Sequence, residues 1–125
     1  MMPSVSLPNV DAMLLNFLSA RITPPVHITV PDPRPETFVR AWRTGGGPLN
    51  RAVEQALVTV QAWAPTNLTA HALAAACRDV LLNDNTGMPL VRNVEVVSGP
   101  YLDPDPDSRH PRYTVTARLT VRGHR

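Results

Sequence analysis

The sequence contains no lysine: all 12 of its basic residues are arginine, and 10 acidic residues leave a formal net charge of +2. Arginine suits phosphate recognition because its planar guanidinium donates hydrogen bonds in a fixed fork. The arginines are scattered from Arg21 to Arg125, however, and form no basic stripe that could follow a nucleic-acid backbone. We expect no specific nucleic-acid contact and interpret the arginine usage as codon bias in a GC-rich genome.

Cysteine and long apolar runs are also scarce. The single Cys77 excludes an intramolecular disulfide and a cysteine-based zinc site. No apolar run approaches the ~20 residues that span a bilayer, and the first residues lack the charged start and apolar block of a signal peptide. We therefore expect neither export nor membrane contact. A chain of 125 residues is long enough for one domain with its own core.

The clearest pattern in the sequence is an alternation over residues 112–122. Apolar side chains and Tyr113 occupy the odd positions, whereas threonine and arginine occupy the even ones. Successive side chains of a strand point to opposite faces, so this segment is predicted to be a half-buried strand. Further strands are predicted over residues 26–30, 37–44, 56–63 and 93–98. The strand over residues 56–63 has apolar residues on both faces, which predicts a central place in the sheet.

Two helices are predicted, one beginning near Asn9 or Asp11 and ending near residue 20, the other capped by Thr66 or Asn67 and ending near residue 82. The apolar stripe of the second helix is predicted to comprise Leu73, Ala76, Cys77, Val80 and Leu81. The stripe of the first helix suits two partners equally well, the chain's own core or a neighbouring subunit.

The order of helices and strands predicts an α+β fold, a mostly antiparallel sheet of four to five strands with two helices packed on one face. We expect residues 1–125 to form a single domain, in which an N-terminal helical segment over residues 1–21 precedes an α+β core over residues 22–123.

Two polar segments are predicted to be hairpin ends. Three consecutive glycines at positions 45–47, followed by Pro-Leu-Asn, are typical of an open loop. The acidic tip, residues 101–111, is rich in aspartate and proline and far longer than a two-residue hairpin turn. Loops of that length are usually functional or disordered, so we expect the acidic tip to protrude and to make contacts.

Chemically reactive arrangements are not evident. Asp103, Asp105 and Asp107 match the first ligands of a calcium loop, but position six is Ser108 instead of glycine and position twelve is Thr114 instead of glutamate. We expect Cys77 to be a buried small apolar residue. The four histidines are predicted to be exposed surface residues, and they are His27, His71, His110 and His124. No catalytic residue, metal or cofactor is predicted.

Three segments together resemble the tail terminator proteins of long-tailed bacteriophages, especially those that infect actinobacteria. They are residues 34–47 (Arg-Pro-Glu-Thr-Phe-Val-Arg-Ala-Trp-Arg-Thr-Gly-Gly-Gly), residues 60–64 (Val-Gln-Ala-Trp-Ala) and residues 94–123, with Ser-Gly-Pro before the acidic tip and Arg-Tyr-Thr after it. The combination of segments, in this order and spacing, carries the resemblance.

The resemblance implies a small structural subunit of the virion, located between tail and neck and assembled in the cytoplasm of the host bacterium. Such a subunit forms a homo-oligomer, a hexameric ring, on the last ring of the major tail tube protein. It ends tube polymerisation and offers a joining surface to the head-side connector or neck proteins.

Two groups of residues are the candidate assembly contacts. They are Thr44, Gly45, Gly46, Gly47, Asn50 and Arg51 in the first loop, and Tyr101, Asp103, Asp105, Asp107, Arg109 and His110 in the acidic tip. The nearest alternative is another neck or head-closure protein of the same particle. A more distant one is a small-ligand-binding or enzymatic α+β domain, for which the sequence offers no catalytic triad, metal set or phosphate loop.

Overall fold

The computed structural model describes residues 6–123, which form a five-stranded sheet and two α-helices. In chain order the elements are α1 (Val10–Ser19), β1 (Val26–His27), β2 (Phe38–Pro48), β3 (Val53–Trp63), α2 (Asn67–Asn83), a short 3-10 helix (Asn85–Gly87), β4 (Val91–Leu102) and β5 (Arg112–Arg122). This architecture confirms the predicted α+β fold. Neither of the described helices is long and apolar enough to cross a bilayer.

The strands lie side by side in the order β1-β2-β3-β5-β4. Among the strands of residues 6–123, the two residues of β1 pair in parallel with β2, and the other neighbouring strands are antiparallel. β3 is the middle strand of the five, with β2 on one side and β5 on the other. The predictions of a mostly antiparallel sheet and of a central third strand are therefore confirmed.

The hydrophobic core lies between one face of the sheet and both helices. Alternation along β3 and β5 directs one set of side chains toward the helices, which accounts for the regular pattern in the sequence. The buried residues of these strands are Ala56, Val58, Val60, Ala62, Val115, Ala117, Leu119 and Val121. Helix α1 contributes Val10, Leu14, Phe17 and Leu18 to this core. The first helix thus packs on the sheet of its own chain.

The second helix approaches the sheet through small side chains. Its buried residues are Ala70, Ala74, Cys77 and Leu81. The expectation that Ala76 belongs to this stripe is wrong, because the buried row at spacings of three and four residues starts at Ala70 and turns Ala76 toward solvent. The prediction for Cys77 is confirmed: the residue is fully buried, and burial raises the pKa of its thiol to about 12.

Polar contacts fix the ends of the helices. The Asp11 carboxylate in the first turn of α1 accepts a hydrogen bond from the Arg43 backbone N–H of β2 at 2.6 Å. The guanidinium of Arg43 in turn pairs with the largely buried Glu54 of β3 at 3.0 Å. Just beyond the other end of α1, Arg21 pairs with Asp84, the residue that caps the C-terminus of α2. Both helices are therefore held to the sheet or to each other at their ends.

Several predicted boundaries differ from the observed ones. β1 ends at His27 instead of continuing to residue 30, and the carbonyl oxygen of Ile28 accepts a hydrogen bond from the side chain of Arg40 at 3.0 Å. β4 runs from Val91 to Leu102, well beyond the predicted residues 93–98. Tyr101 consequently lies in a strand, and the connection between β4 and β5, called the β4–β5 loop from this point on, comprises residues 103–111.

The three glycines do not form an open loop, and that prediction is wrong. Gly45, Gly46 and Gly47 are part of β2 and lie opposite residues 55–57 of β3. The hairpin turn comes later, over residues 49–52, where the Asn50 side-chain oxygen accepts hydrogen bonds from the backbone N–H groups of Ala52 and Val53 at 2.8 and 3.0 Å. Pairing with the long central strand overrides the loop preference of glycine.

Glycine is required at position 46 for a geometric reason. The register of the β2–β3 ladder shifts between Arg43 and Gly45, so that Thr44 is the extra residue of a bulge. Two residues later the backbone adopts a φ of +92° at Gly46, where an added Cβ would lie 2.0 Å from the carbonyl oxygen of Gln55. A side chain at this position therefore forces the two strands apart.

We predict that Gly46→Ala lowers the free energy of unfolding by about 2 kcal/mol or more, because it combines a left-handed backbone with a clash against the neighbouring strand. Gly47→Ala is the matched control, since a Cβ there meets nothing within 4 Å. It should change stability by less than about 1 kcal/mol. Urea denaturation of both variants measures the difference, and equal stability of the two would contradict the assignment of Gly46.

Candidate functional site

The candidate site lies on the sheet face opposite the helices and is centred on Trp63, the last residue of β3. Trp63 is 2% exposed, although it lies outside the core cluster that the helices share with the sheet. Phe38, its direct partner on β2, stacks on the indole with ring centroids 5.0 Å apart. His110 of the β4–β5 loop meets the indole edge-on at 5.3 Å. An aromatic cluster of this kind buries a large apolar area and so stabilises the segment that packs over it, which is the β4–β5 loop.

Two arginines cover the same indole. The guanidinium carbon of Arg112 lies 5.0 Å from the Trp63 ring centre, and that of Arg34 lies 5.2 Å away. Both distances are within the range in which a cation is attracted to the face of an aromatic ring. Arg112 begins β5 and directly faces Trp63 in the ladder, whereas Arg34 comes from the connector between β1 and β2. Two distant segments of the chain therefore meet on one side chain.

The charge of Arg112 is compensated by the β4–β5 loop. The side chain of Arg112 is only 12% exposed, and it lies 3.3 Å from a carboxylate oxygen of Asp103 and 3.8 Å from one of Asp105. Its Nε also donates to the backbone carbonyl of Asp103 at 2.7 Å. A largely buried cation requires such partners, because removing it from water is costly unless it is paired. The loop and Arg112 thus hold each other in place.

Asp105 is the most highly connected residue of the loop. Its carboxylate accepts hydrogen bonds from the Ser108 hydroxyl at 2.6 Å and from the Ser108 backbone N–H at 2.9 Å, and it lies 3.8 Å from Arg34. The hydrogen bonds from Ser108, with the charges of Arg112 and Arg34, lower the pKa of Asp105, and partial burial opposes them. Asp105 is therefore ionised at neutral pH and closes the loop as a turn.

Backbone hydrogen bonds complete the loop. The N–H groups of Asp103, Asp105 and Arg109 donate to carbonyl oxygens of Arg112, His110 and Asp105, at 2.9, 3.2 and 2.8 Å. Arg109 adopts a φ of +61°, which is uncommon for a residue with a side chain. The imidazole Nε2 of His110 lies 2.9 Å from the carbonyl oxygen of Glu36 and so joins the loop to the β1–β2 connector. Residues 103–111 are therefore folded against the sheet instead of protruding freely.

The outer side of the loop is left for contacts. The side chains of Pro104, Pro106, Asp107 and Arg109 are exposed, and Leu102 beside them is 49% exposed. An open groove of about 380 Å³ separates the loop from the start of α2. Its lining consists of Asn67, Leu102, Pro104, Asp105, Pro106 and Arg109. The surface thus combines rigid prolines with one apolar and several polar side chains.

The calcium alternative depends on whether the carboxylates of the β4–β5 loop could bind an ion. Asp103 and Asp105 direct carboxylate oxygens at Arg112, and Thr114 donates a further hydrogen bond to Asp103 at 2.9 Å. Within residues 6–123 no group of three or more histidine, cysteine, aspartate or glutamate side chains is arranged to hold a metal ion. The aspartates at positions 103 and 105 are thus engaged as hydrogen-bond and ion-pair acceptors.

The histidines have different surroundings. His71 is exposed, as predicted, and meets Tyr113 edge-on at 5.1 Å. His27 and His110 are half-buried against Phe38 and Trp63, respectively, so the expectation of exposed positions is wrong for both. The reason is that both imidazoles pack against the aromatic cluster of Phe38 and Trp63, which the sequence analysis did not identify. His124 lies outside the described residues.

Asn50 and Arg51 of the first group of candidate assembly contacts lie at one end of the sheet and the second group lies at the other, whereas Thr44 lies beside the middle of β3, with its hydroxyl 3.0 Å from that of Thr59. Thr44 to Arg51 belong to β2 and the turn before Val53, whereas the second group adjoins Trp63 at the far end of β3. The 11 residues of β3 separate the two ends by about 33 Å at a rise of ~3.3 Å per residue.

Sequence reasoning did not identify Trp63, Phe38 and Arg34 as supports of the loop. The sequence feature that could have indicated them is the position of two aromatic residues: Phe38 lies near the start of the predicted strand over residues 37–44, and Trp63 ends the predicted strand over residues 56–63.

Comparison with protein-family models and with curated proteins finds no match to this chain. What the chain does is therefore inferred from its residues and their geometry. The similarity of residues 34–47, 60–64 and 94–123 to tail terminator proteins stays an interpretation of the sequence.

We predict that Asp105→Asn lowers the melting temperature at pH 7, because it removes the charge that pairs with Arg112 and Arg34. A carboxyl group whose pKa is lowered by folding stabilises the protein above its unfolded-state pKa of about 3.9, and that stability is lost as the pH falls through the folded-state pKa. The difference from the unmodified protein should therefore shrink below about pH 4.

Asp107→Asn is the matched control, since Asp107 is exposed on the same loop. Thermal unfolding of the three proteins between pH 3 and pH 7 checks the expectation. A melting temperature of Asp105→Asn equal to that of the unmodified protein at pH 7 would show that the ion pairs of the loop do not stabilise the fold.

Proposed function

We propose that this chain is a structural virion protein that forms a ring on the end of a phage tail tube, ends tube polymerisation and provides the joining surface for the head connector. The observation that carries the proposal is the segment over residues 94–123. It supplies the most specific part of the resemblance to tail terminators, and it contains both an edge strand and the loop folded on Trp63.

The stiffness of the β4–β5 loop supports a role in contacts. A flexible loop must be ordered when it binds, at a cost in conformational entropy, whereas a surface that is already ordered avoids most of that cost. The ion pairs of Asp103 and Asp105 with Arg112 fix this loop before any partner arrives. Its exposed prolines restrict the backbone further.

The placement of the two contact groups supports ring assembly. Rings form through heterologous contacts, in which one surface of a subunit meets a different surface of the next, and such contacts close when the rotation between subunits allows it. A subunit with contact surfaces at both ends of a sheet can touch a neighbour with each. The same separation also suits a subunit that lies between two different partners, the major tail tube protein and a head-side connector or neck protein.

The test is electron microscopy of particles from a phage that lacks this chain. If the chain ends tube growth, we expect tails of abnormal length beside heads without tails. Tails of normal length beside heads that have lost their DNA would instead identify a head-closure protein, and unaltered particles would contradict a role in assembly.

Complementation with substituted chains then tests the loop. Asp107→Ala combined with Arg109→Asn changes two exposed residues while leaving Asp105 and its ion pairs intact, and asparagine tolerates the left-handed backbone at position 109. We expect this chain to fold but to restore few infectious particles. His71→Ala, a substitution of an exposed residue on α2, is the control and should restore them fully.

A further inference from the structure

The two ends of the sheet carry opposite charge. At the end that contains the β2–β3 turn, Arg51, Arg92 and Arg122 are all exposed. Backbone hydrogen bonds bring their segments together: the Gly123 N–H donates to the Ala52 carbonyl at 2.6 Å, and the Arg122 N–H donates to the Leu90 carbonyl at 2.9 Å. None of these three arginines forms an ion pair with a carboxylate of residues 6–123. We call this surface the basic end.

The opposite end is acidic. The β4–β5 loop and the β1–β2 connector are joined there by the contact of His110 with the Glu36 carbonyl and by the pair of Arg34 and Asp105. Together they carry five carboxylates, against four guanidinium groups, which are those of Arg34, Arg109, Arg112 and Arg40, whose Nε donates to the Ile28 carbonyl of the connector at 3.0 Å. Asp103 and Asp105 are occupied by arginines of the same chain. The carboxylates left exposed are those of Asp32, Glu36 and Asp107, which outnumber the exposed guanidinium of Arg109 beside them, and we call this surface the acidic end.

Each end also exposes apolar side chains beside its charges. Leu49 in the turn of the basic end is 58% exposed. Near the acidic end Leu102 is 49% exposed and Leu68, at the start of α2, is 80% exposed. Interfaces commonly place apolar contacts at the centre and charged residues at the rim. Both ends therefore have the composition of an interface, with rims of opposite sign.

We propose that copies of this chain associate head to tail, with the basic end of one copy against the acidic end of the next. This contact rests on the proposed function, because it specifies how neighbouring subunits of the ring meet. The partner that binds each end is a second copy of the chain. Every copy carries both charges, but its own two ends are about 33 Å apart and cannot pair with each other. Complementary charge fixes orientation and register and disfavours the two pairings of like ends.

Single charge reversals test the contact in solution. Sedimentation velocity at about 50 mM salt should show mass that increases with protein concentration, and about 500 mM salt should weaken the association by screening. Arg51→Glu and Asp107→Arg should each weaken it by about tenfold or more. An equimolar mixture of these two variants should restore it, because each then offers the charge that the other lacks.

Arg78→Glu is the control, since it makes the same change in charge on α2, where Arg78 lies beside Asp79. It should associate like the unmodified protein. Arg51→Gln, which removes the charge without reversing it, should weaken association less than Arg51→Glu. The melting temperature of each variant confirms that it is folded.

The proposal is overturned if the unmodified protein stays monomeric at low salt, if the reversals leave association unchanged, or if mixing them restores nothing. Binding of a 20-base-pair DNA duplex that Arg51→Glu abolishes, with self-association unaffected, would assign the basic end to a polyanion instead. These outcomes are separate from those of particle imaging, because a chain that joins tails to heads can use other surfaces to meet its copies.

Discussion

The ion pairs and aromatic contact of the Arg112 guanidinium, which lies between the indole of Trp63 and the carboxylates of Asp103 and Asp105, are the interactions on which the candidate surface depends. A cation in this position must be paired, and the paired carboxylates belong to the β4–β5 loop. The loop in turn shields Trp63, which lies outside the core cluster that the helices share with the sheet. Displacing the loop would therefore expose a large aromatic side chain and leave a cation without its partners. An acidic segment of the sequence becomes a fixed part of the sheet for this reason.

The central strand relates this surface to the rest of the protein. One face of β3 supplies apolar side chains to the core beneath both helices, and the other ends at Trp63. The core thus holds the sheet rigid, and the sheet sets the distance between the β2–β3 turn and the β4–β5 loop. The two proposed contact surfaces, one basic and one acidic, are thereby held at a fixed separation, which suits a subunit that binds neighbours. Ring formation and tail termination are our proposal for its function.

The helices and strands were predicted best where burial of one face requires apolar residues at regular intervals in the sequence. The alternation over residues 112–122 matches the bounds of β5, and helical spacing together with Thr66 locates α2. The glycines at positions 45–47 were misassigned because glycine usually marks a loop, whereas in this protein Gly46 permits a left-handed backbone within a long ladder. Ala76 was misassigned because an alanine-rich helix leaves the choice of its buried face to the residues it packs against.

The arrangement of the candidate site was harder to predict. That Asp103 and Asp105 pair with Arg112 depends on Arg112 lying opposite Trp63, a register set by the whole ladder between β3 and β5. The opposite charges of the two ends depend on strand order, because residues 51, 92 and 122 are far apart in the chain. The segments were recognisable from their composition, but the distances between them depend on the topology of the sheet.

Amide hydrogen exchange followed by NMR tests most directly whether the β4–β5 loop is folded in the free protein. The backbone N–H groups of Asp103, Asp105, Ser108 and Arg109 donate hydrogen bonds, so they should exchange more slowly than unprotected amides of the same sequence. Exchange of all loop amides at the rate of an unstructured peptide would show that the loop is mobile until it meets a partner, and would contradict a contact surface that is ordered before assembly.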